Sequence, residues 1–250
     1  MYNNQYVMIF FENSFQLFGK DELYKPFDLD KPLFNIYSHS QKNIYLCSRF
    51  FRSMKNLYIL AGCNGAGKTT AAFHLLPGIL QCKEFVNADE IARGISPFQP
   101  EKATFEAGKI MTRRIEDLMN AEKSFAIETT LAAISYLRTV RVAQKRGYYV
   151  TLIFFWLPDV ELAKARVRLR VQEGGHSVPE KVIERRFRRG LVNFFDHFMP
   201  LCDNVMVFNN ASEEPKLVMA KTKDKPQEIF DNEIYNQIRI SYEGNRNSTT

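Results

Sequence analysis

Cysteine is scarce. The four cysteines among 250 residues, Cys47, Cys63, Cys82 and Cys202, are scattered and include no C-x-x-C pair. That excludes a disulfide framework and a thiolate zinc site, and points to a reducing compartment, the cytoplasm. Glycine (12) and proline (10) are too few for a fibrous or linker-like chain. No unbroken apolar run approaches the roughly 18 residues of a spanning helix, so no membrane role is expected. No internal repeat is visible. With 45% hydrophobic and 25% charged residues, the chain is not mainly disordered and has material for a core. What the sequence has in excess is positive charge: net +6, with a pI near 9.1. An anionic ligand fits that balance.

Composition changes near Met54. Residues 1–53 carry 13 aromatics, about a quarter of the segment, without a clean period of 2 or 3.6. Two accounts are open: an accessory segment, or an upstream region translated ahead of a true start at Met54, which the A/T-rich codon character of the segment favours. Residues 54–223 form the expected main domain. Residues 224–250 turn polar and are expected to be a mobile tail.

From Leu57 the reading is regular. Leu57–Ala61 is a short apolar run, as in a buried parallel strand. A Gly-rich turn and a helix through Leu80 follow. Phe85–Asn87, Ser124–Ile127, Tyr149–Trp156 and Asn204–Phe208 are further strands, with Lys216–Ala220 as an added candidate. Helical spacing marks 101–120, 131–146, 159–171 and a helix opened by Pro179 and reaching about His197. Alternating strand and helix predict an α/β fold: a parallel sheet of about five strands with helices on both faces.

Gly62-Cys63-Asn64-Gly65-Ala66-Gly67-Lys68-Thr69 satisfies G-x-x-x-x-G-K-[ST] between a strand and a helix. Backbone amides of such a loop cradle a polyphosphate at a helix N-terminus, with Thr70 in the same turn. Lys68 reaches the outer phosphates, and the Thr69 hydroxyl is placed for Mg²⁺. Asp89 follows the second strand, where the ligand crevice of a doubly wound sheet lies. There it either takes the proton of a substrate hydroxyl or caps the next helix. Glu128, with Thr129 and Thr130 after it, ends the third strand; it either holds metal through water or binds substrate, unless the segment only caps a helix.

The span 161–190 holds nine Lys/Arg and four acids. Two helices flank Glu173-Gly174-Gly175-His176-Ser177, which reads as helix, flexible loop, helix. Arg166 and Arg170 share a helix face. A lid of this kind brings guanidiniums onto phosphates, although most of the nine cations are expected to be a solvated face. Loop amides and Lys68 would favour a Cys63 thiolate, but the residue reads instead as a spectator filling a variable position of the loop. His176 is a candidate in the loop. Trp156 reads as core.

The phosphate loop, Asn87-Ala88-Asp89-Glu90, Glu128-Thr129-Thr130-Leu131 and Gly174-Gly175-His176 before Pro179 together resemble the zeta-toxin-like P-loop kinases. The resemblance spans about residues 55–210. It implies a P-loop NTPase fold with a helical lid, ATP and Mg²⁺ on Lys68 and Thr69, Asp89 as base, and Glu128 and Thr129 on the substrate. Arg170 is the first lid arginine. A second one, expected before Pro179, is replaced here by Gly-Gly-His, and Arg185 or Arg186 substitutes from the next helix. The acceptor implied is a small molecule such as UDP-N-acetylglucosamine, and the protein partner implied is an antitoxin. Two other readings stay open: a nucleic-acid-directed enzyme such as a polynucleotide kinase, less favoured, and a nucleotide-binding switch with slow ATPase activity.

Overall fold

The computed structural model describes residues 6–11, 14–19, 54–175, 177–212 and 214–247. His176 and most of the N-terminal 53 residues lie outside them. The chain divides into two compact units, Met1–Met54 and Lys55–Thr250. In the first, strand β1 (Tyr6–Phe11) pairs antiparallel with β2 (Ser14–Gly19).

The second unit is a seven-stranded sheet wrapped by helices. Its elements run β3 (Lys55–Ala61), α1 (Lys68–His74), β4 (Phe85–Val86), α2 (Ala88–Ile95), α3 (Thr104–Asn120), β5 (Phe125–Thr129), α4 (Tyr136–Lys145), β6 (Tyr148–Trp156), α5 (Val160–Gln172), α6 (Glu180–Asn193), β7 (Asn204–Asn209), β8 (Lys216–Thr222), β9 (Glu228–Ile229) and α7 (Asn232–Asn247). The strand order is β4-β5-β3-β6-β7-β8-β9. The first five strands are parallel and the last two antiparallel. The expected parallel sheet of about five strands is therefore present, extended by an antiparallel margin.

Strands β3 and β6 are apolar on both faces because both faces are covered. Leu57, Ile59, Leu152, Phe154 and Trp156 enter one core cluster, and Tyr58, Leu60, Ile153 and Phe155 the other. Each such side chain contributes about 1.5–3 kcal/mol on full burial, so the middle of the sheet is its most stable part. A rigid centre matters here because the strand ends carry the site.

Where polarity suggests a tail, residues 232–247 form a helix, α7. Ile238 and Tyr242 of α7 are buried, and Ile234 and Tyr235 pack on the same core. These positions recur at helical spacing, so a thin apolar stripe holds an otherwise polar helix. The Tyr242 hydroxyl donates to Asp196, and Arg239 lies over the Phe195 ring at 5.1 Å.

Helix α6 continues through a π-helical turn at Phe194–Phe198 and a short turn at Met199–Leu201. Gly174 and Gly175 end α5. Gly174 takes φ 85°, and the Gly175 amide donates to the Arg170 carbonyl at 2.8 Å while the Gly174 amide donates to Val171. This is a left-handed helix-terminating cap, and glycine is there because the conformation disfavours a Cβ.

Candidate active site

Sheet register assembles the site. Leu60 of β3 lies opposite Glu128 of β5, and Val86 of β4 lies opposite Ile127. Asn87 and Glu128 thus leave neighbouring strands at one level, beside the loop that follows Ala61.

The loop delivers Lys68 and Thr69 to Glu128. Lys68 is buried; its Nζ donates to the Cys63 carbonyl at 2.9 Å and stands 3.5 Å from Glu128 Oε1. Thr69 Oγ1 donates to Glu128 Oε2 at 2.7 Å, and Asn87 Nδ2 donates to the same oxygen at 2.8 Å. One carboxylate therefore gathers an ammonium, a hydroxyl and an amide, and its desolvation is offset by those three partners.

Asn87 also caps α2. Its Oδ1 accepts the amides of Asp89 (2.8 Å) and Glu90 (3.4 Å). The capping role open to Asp89 in the sequence thus belongs to Asn87. Asp89 sits exposed in the first turn of α2, close enough to Arg186 to act on its charge.

Arg186 reaches the phosphate loop from α6, donating from Nη1 to Asn64 Oδ1 at 3.1 Å. Burial lowers its pKa and the Asp89 carboxylate opposes that shift. Gly190, one turn on, lets α6 approach the end of β5: a Cβ there would stand 2.5 Å from the Thr130 carbonyl. Asn193 donates to the Leu131 carbonyl at 2.7 Å. Helix α6 thus runs from the phosphate loop to the end of β5.

The other cations of 161–190 divide by structural job. Lys164 is buried between Glu161 (2.8 Å) and Glu184 (2.6 Å), with Glu180 at 3.8 Å, so α5 and α6 are clasped through one ammonium. Hydrogen bonds to Glu161 and Glu184 raise its pKa. Arg168 pairs with Glu180 at 2.7 Å. Arg166 donates to the carbonyls of Asn210 (2.7 Å) and Ala211 (2.9 Å), a structural tether in place of the expected lid contact. Arg170 stands in the last turn of α5, its side chain against Gly175. Thr129 Oγ1 accepts the Leu131 amide at 3.1 Å, a local turn contact, and Thr70 is exposed in α1.

The loop does not activate Cys63 toward thiolate. Burial pushes its thiol up to about 11, and the opposing influences of Lys68 and Arg166 are smaller. Its side chain is buried in the core cluster that holds Leu60, Phe155 and Ala163.

Two residues of the site were not singled out from sequence. Asn87 carried a signal in its place directly after a strand and two residues before an acid. Asn210 carried almost none beyond following the last parallel strand. Its Nδ2 donates to the Ala66 carbonyl at 2.7 Å, across 144 positions of sequence.

Comparison with known proteins agrees with this geometry. The AAA domain family matches residues 57–191, more than half the chain. An uncharacterized protein of Haemophilus influenzae is 29% identical over 126 residues, covering 50% of this chain and 88% of the relative. Among solved structures, a chain of the AvrRxo1-ORF1:AvrRxo1-ORF2 complex with sulphate ions aligns with TM-score 0.62 and 20% identity over 74% of this chain. The alignment spans 63% of the matched chain's length, so the chain corresponds to somewhat less than two thirds of that neighbour. The same complex with ATP aligns at TM-score 0.60 and 20% identity, covering 74% and 63%. A chain of the PezAT chromosomal toxin–antitoxin system of Streptococcus pneumoniae aligns at TM-score 0.54 and 14% identity, covering 85% of this chain and 98% of that one. At these identities the likeness is one of fold: an α/β, P-loop kinase-like architecture.

Proposed function

Since the chain belongs to the AAA domain family, we propose that it is an ATP-dependent phosphotransferase acting on a hydroxyl of a small molecule. The single observation that carries the reading is the convergence of Lys68, Thr69 and Asn87 on Glu128 beside Asp89 and Arg186. A nucleotide-binding module needs only the loop. The exposed Asp89 carboxylate in the first turn of α2, and the Arg186 guanidinium that feels its charge and donates to Asn64, suit transfer to an acceptor.

The loop amides and Lys68 hold the β- and γ-phosphates of ATP. The donor chemistry around Thr69 fits Mg²⁺: a hydroxyl oxygen and an adjacent carboxylate are the hard ligands it takes, with phosphate and water completing the set. Bound there, Mg²⁺ would neutralise charge on the phosphate oxygens. Thr69 would hold it directly and Glu128 through water, so Glu128 belongs with the nucleotide more than with the acceptor. The acceptor hydroxyl oxygen attacks the γ-phosphorus as its proton passes to the Asp89 carboxylate. The bond to the β,γ-bridging oxygen breaks and ADP leaves. Arg186 stabilises the charge that develops between the two, with Arg170 as a further lid cation.

A nucleotide sugar such as UDP-N-acetylglucosamine is the first acceptor to try, on the resemblance to zeta toxins. An antitoxin-like partner is the corresponding protein to seek. One of the neighbouring structures belongs to a toxin–antitoxin system. The deciding experiment incubates the protein with γ-labelled ATP, Mg²⁺ and a cellular metabolite extract, then identifies labelled products by mass spectrometry. Label on one small hydroxyl compound supports the reading. Label released only as inorganic phosphate would replace it with the slow-ATPase switch, and label on nucleic-acid ends with a polynucleotide kinase.

A further inference from the structure

Asn210 lies beyond the residues matched by the family, which end at 191. Yet it is among the few buried polar side chains of the unit. We propose that Asn210 is a positioning residue: its amide latches the phosphate loop in its open-cradle shape and ties that shape to α5 through Arg166.

Four contacts of Asn210 carry this, with Ala66, Gly67, Trp156 and Arg166. Asn210 Nδ2 donates to the Ala66 carbonyl at 2.7 Å, inside the loop. A loop that aims its amides inward must turn some carbonyls outward, and each one buried needs a donor. Asn210 supplies the donor for Ala66. The same amide group presses on Gly67, where a Cβ would collide with Nδ2; Gly67 has φ 78° and starts α1. Donor and wall together fix the peptide next to Lys68.

Asn210 is itself held at both ends of its backbone. Its amide donates at 2.9 Å to the carbonyl of Trp156, the buried last residue of β6. Its carbonyl accepts Arg166 Nη1 at 2.7 Å, while Nη2 takes Ala211 at 2.9 Å. Arg166 lies on α5, which is clasped to α6 through Lys164, and α6 carries Arg186 back to Asn64 of the same loop. The loop is thereby gripped from two sides by elements joined to each other. Displacing α5 moves the Asn210 backbone, and the Ala66 latch with it.

The catalytic consequence rests on the kinase reading; the latch itself does not. Asn210→Asp is nearly isosteric and retains the backbone contacts, but turns the donor into an acceptor facing the Ala66 carbonyl. Hydrogen exchange of the full-length protein without nucleotide reads the latch alone. We expect peptides covering 62–71, whose Ala66 and Ala71 amides are bonded within the loop and first turn, to exchange about tenfold faster, the factor one hydrogen bond of ordinary strength carries. Peptides from β3 and β6 should not change. Arg166→Lys should give the same local effect in weaker form, and combined with Asn210→Asp should add little, because both act through one latch. With ATP and Mg²⁺, Asn210→Asp should raise the KM for ATP about tenfold and change kcat less. Unchanged exchange in 62–71, or acceleration spread evenly over the sheet, would overturn the proposal. If Asn210→Asp does not fold, Asn210→Ala, which removes the donor without adding a carboxylate, carries the same test. A wild-type protein that does not bind ATP would sink the kinase reading while the exchange result still decides the latch.

Discussion

Replacing Glu128 by Gln tests whether one carboxylate organises the site. Its side chain is 10% exposed, with Oε2 accepting Thr69 and Asn87 and Oε1 facing the Lys68 ammonium. An amide has one oxygen. If that oxygen replaces Oε2, the NH₂ group is thrust at Lys68; in the other orientation it faces two donors. The better orientation keeps two hydrogen bonds but strips them of charge, which costs about 1 kcal/mol each, since bonds to ions contribute about 1.5–3 and neutral ones about 0.5–1.5 kcal/mol. Lys68, buried, is then left with the Cys63 carbonyl alone. The total is about 2–3 kcal/mol. For a unit of this size that lowers Tm by about 5–10 °C. Urea unfolding should show a lower midpoint at unchanged slope. Phosphoryl transfer should fall at least about a hundredfold, because Thr69 and Lys68 lose the group that aims them. A variant with the wild-type midpoint and wild-type transfer would show that the cluster is a by-product of packing.

Three further outcomes are expected. Asp89→Asn should leave stability unchanged, because Asn87 caps α2, while transfer to an identified acceptor falls by about 10²–10⁴; full transfer would remove Asp89 as the base. Cys63 should resist alkylation at neutral pH. Its folded pKa near 11 exceeds the ordinary 9.0, so the folded state holds the proton more tightly, and stability should decline as pH rises from about 9 toward 11. Comparing the pH dependence of urea midpoints for wild type and Cys63→Ser isolates that decline, and parallel curves would refute it. Lys164→Met should lower both Tm and transfer by opening the clasp between α5 and α6, whereas Lys181→Met, on the exposed side of α6, should alter neither; scanning calorimetry and the transfer assay check the contrast.

The phosphate loop was legible because its meaning is local: strand, glycines, lysine and helix are contiguous in sequence. Asp89 and Glu128 were legible as acids at strand ends, since the strands themselves are short apolar runs. Which of two roles each plays was not. Asn87 as cap depends on a β-region backbone before α2, and Glu128 as a hub depends on the register of β4 against β5. Arg166 and Arg170 share a helix face as expected, yet a tertiary contact with residues 210 and 211 gives Arg166 different work. Gly174-Gly175 read as flexibility because glycine permits it; the same two residues also form the cap that ends α5. Helix α7 escaped notice because Asn and Gln dilute its stripe of Ile234, Tyr235, Ile238 and Tyr242. Asn210 is the extreme case, since nothing near it in sequence indicates a bond 144 positions away.

The seven-stranded sheet ends, among the described residues, in a two-residue strand on each side: Phe85–Val86 at one margin and Glu228–Ile229 at the other. Neither offers the row of free amides and carbonyls that another chain's strand would need in order to add itself. The cover is short, however: β9 pairs only with Met219 and Ala220 of the seven-residue β8, and β4 only with Ala126 and Ile127 of β5, so a strand added from another chain would meet the longer strand beside each margin.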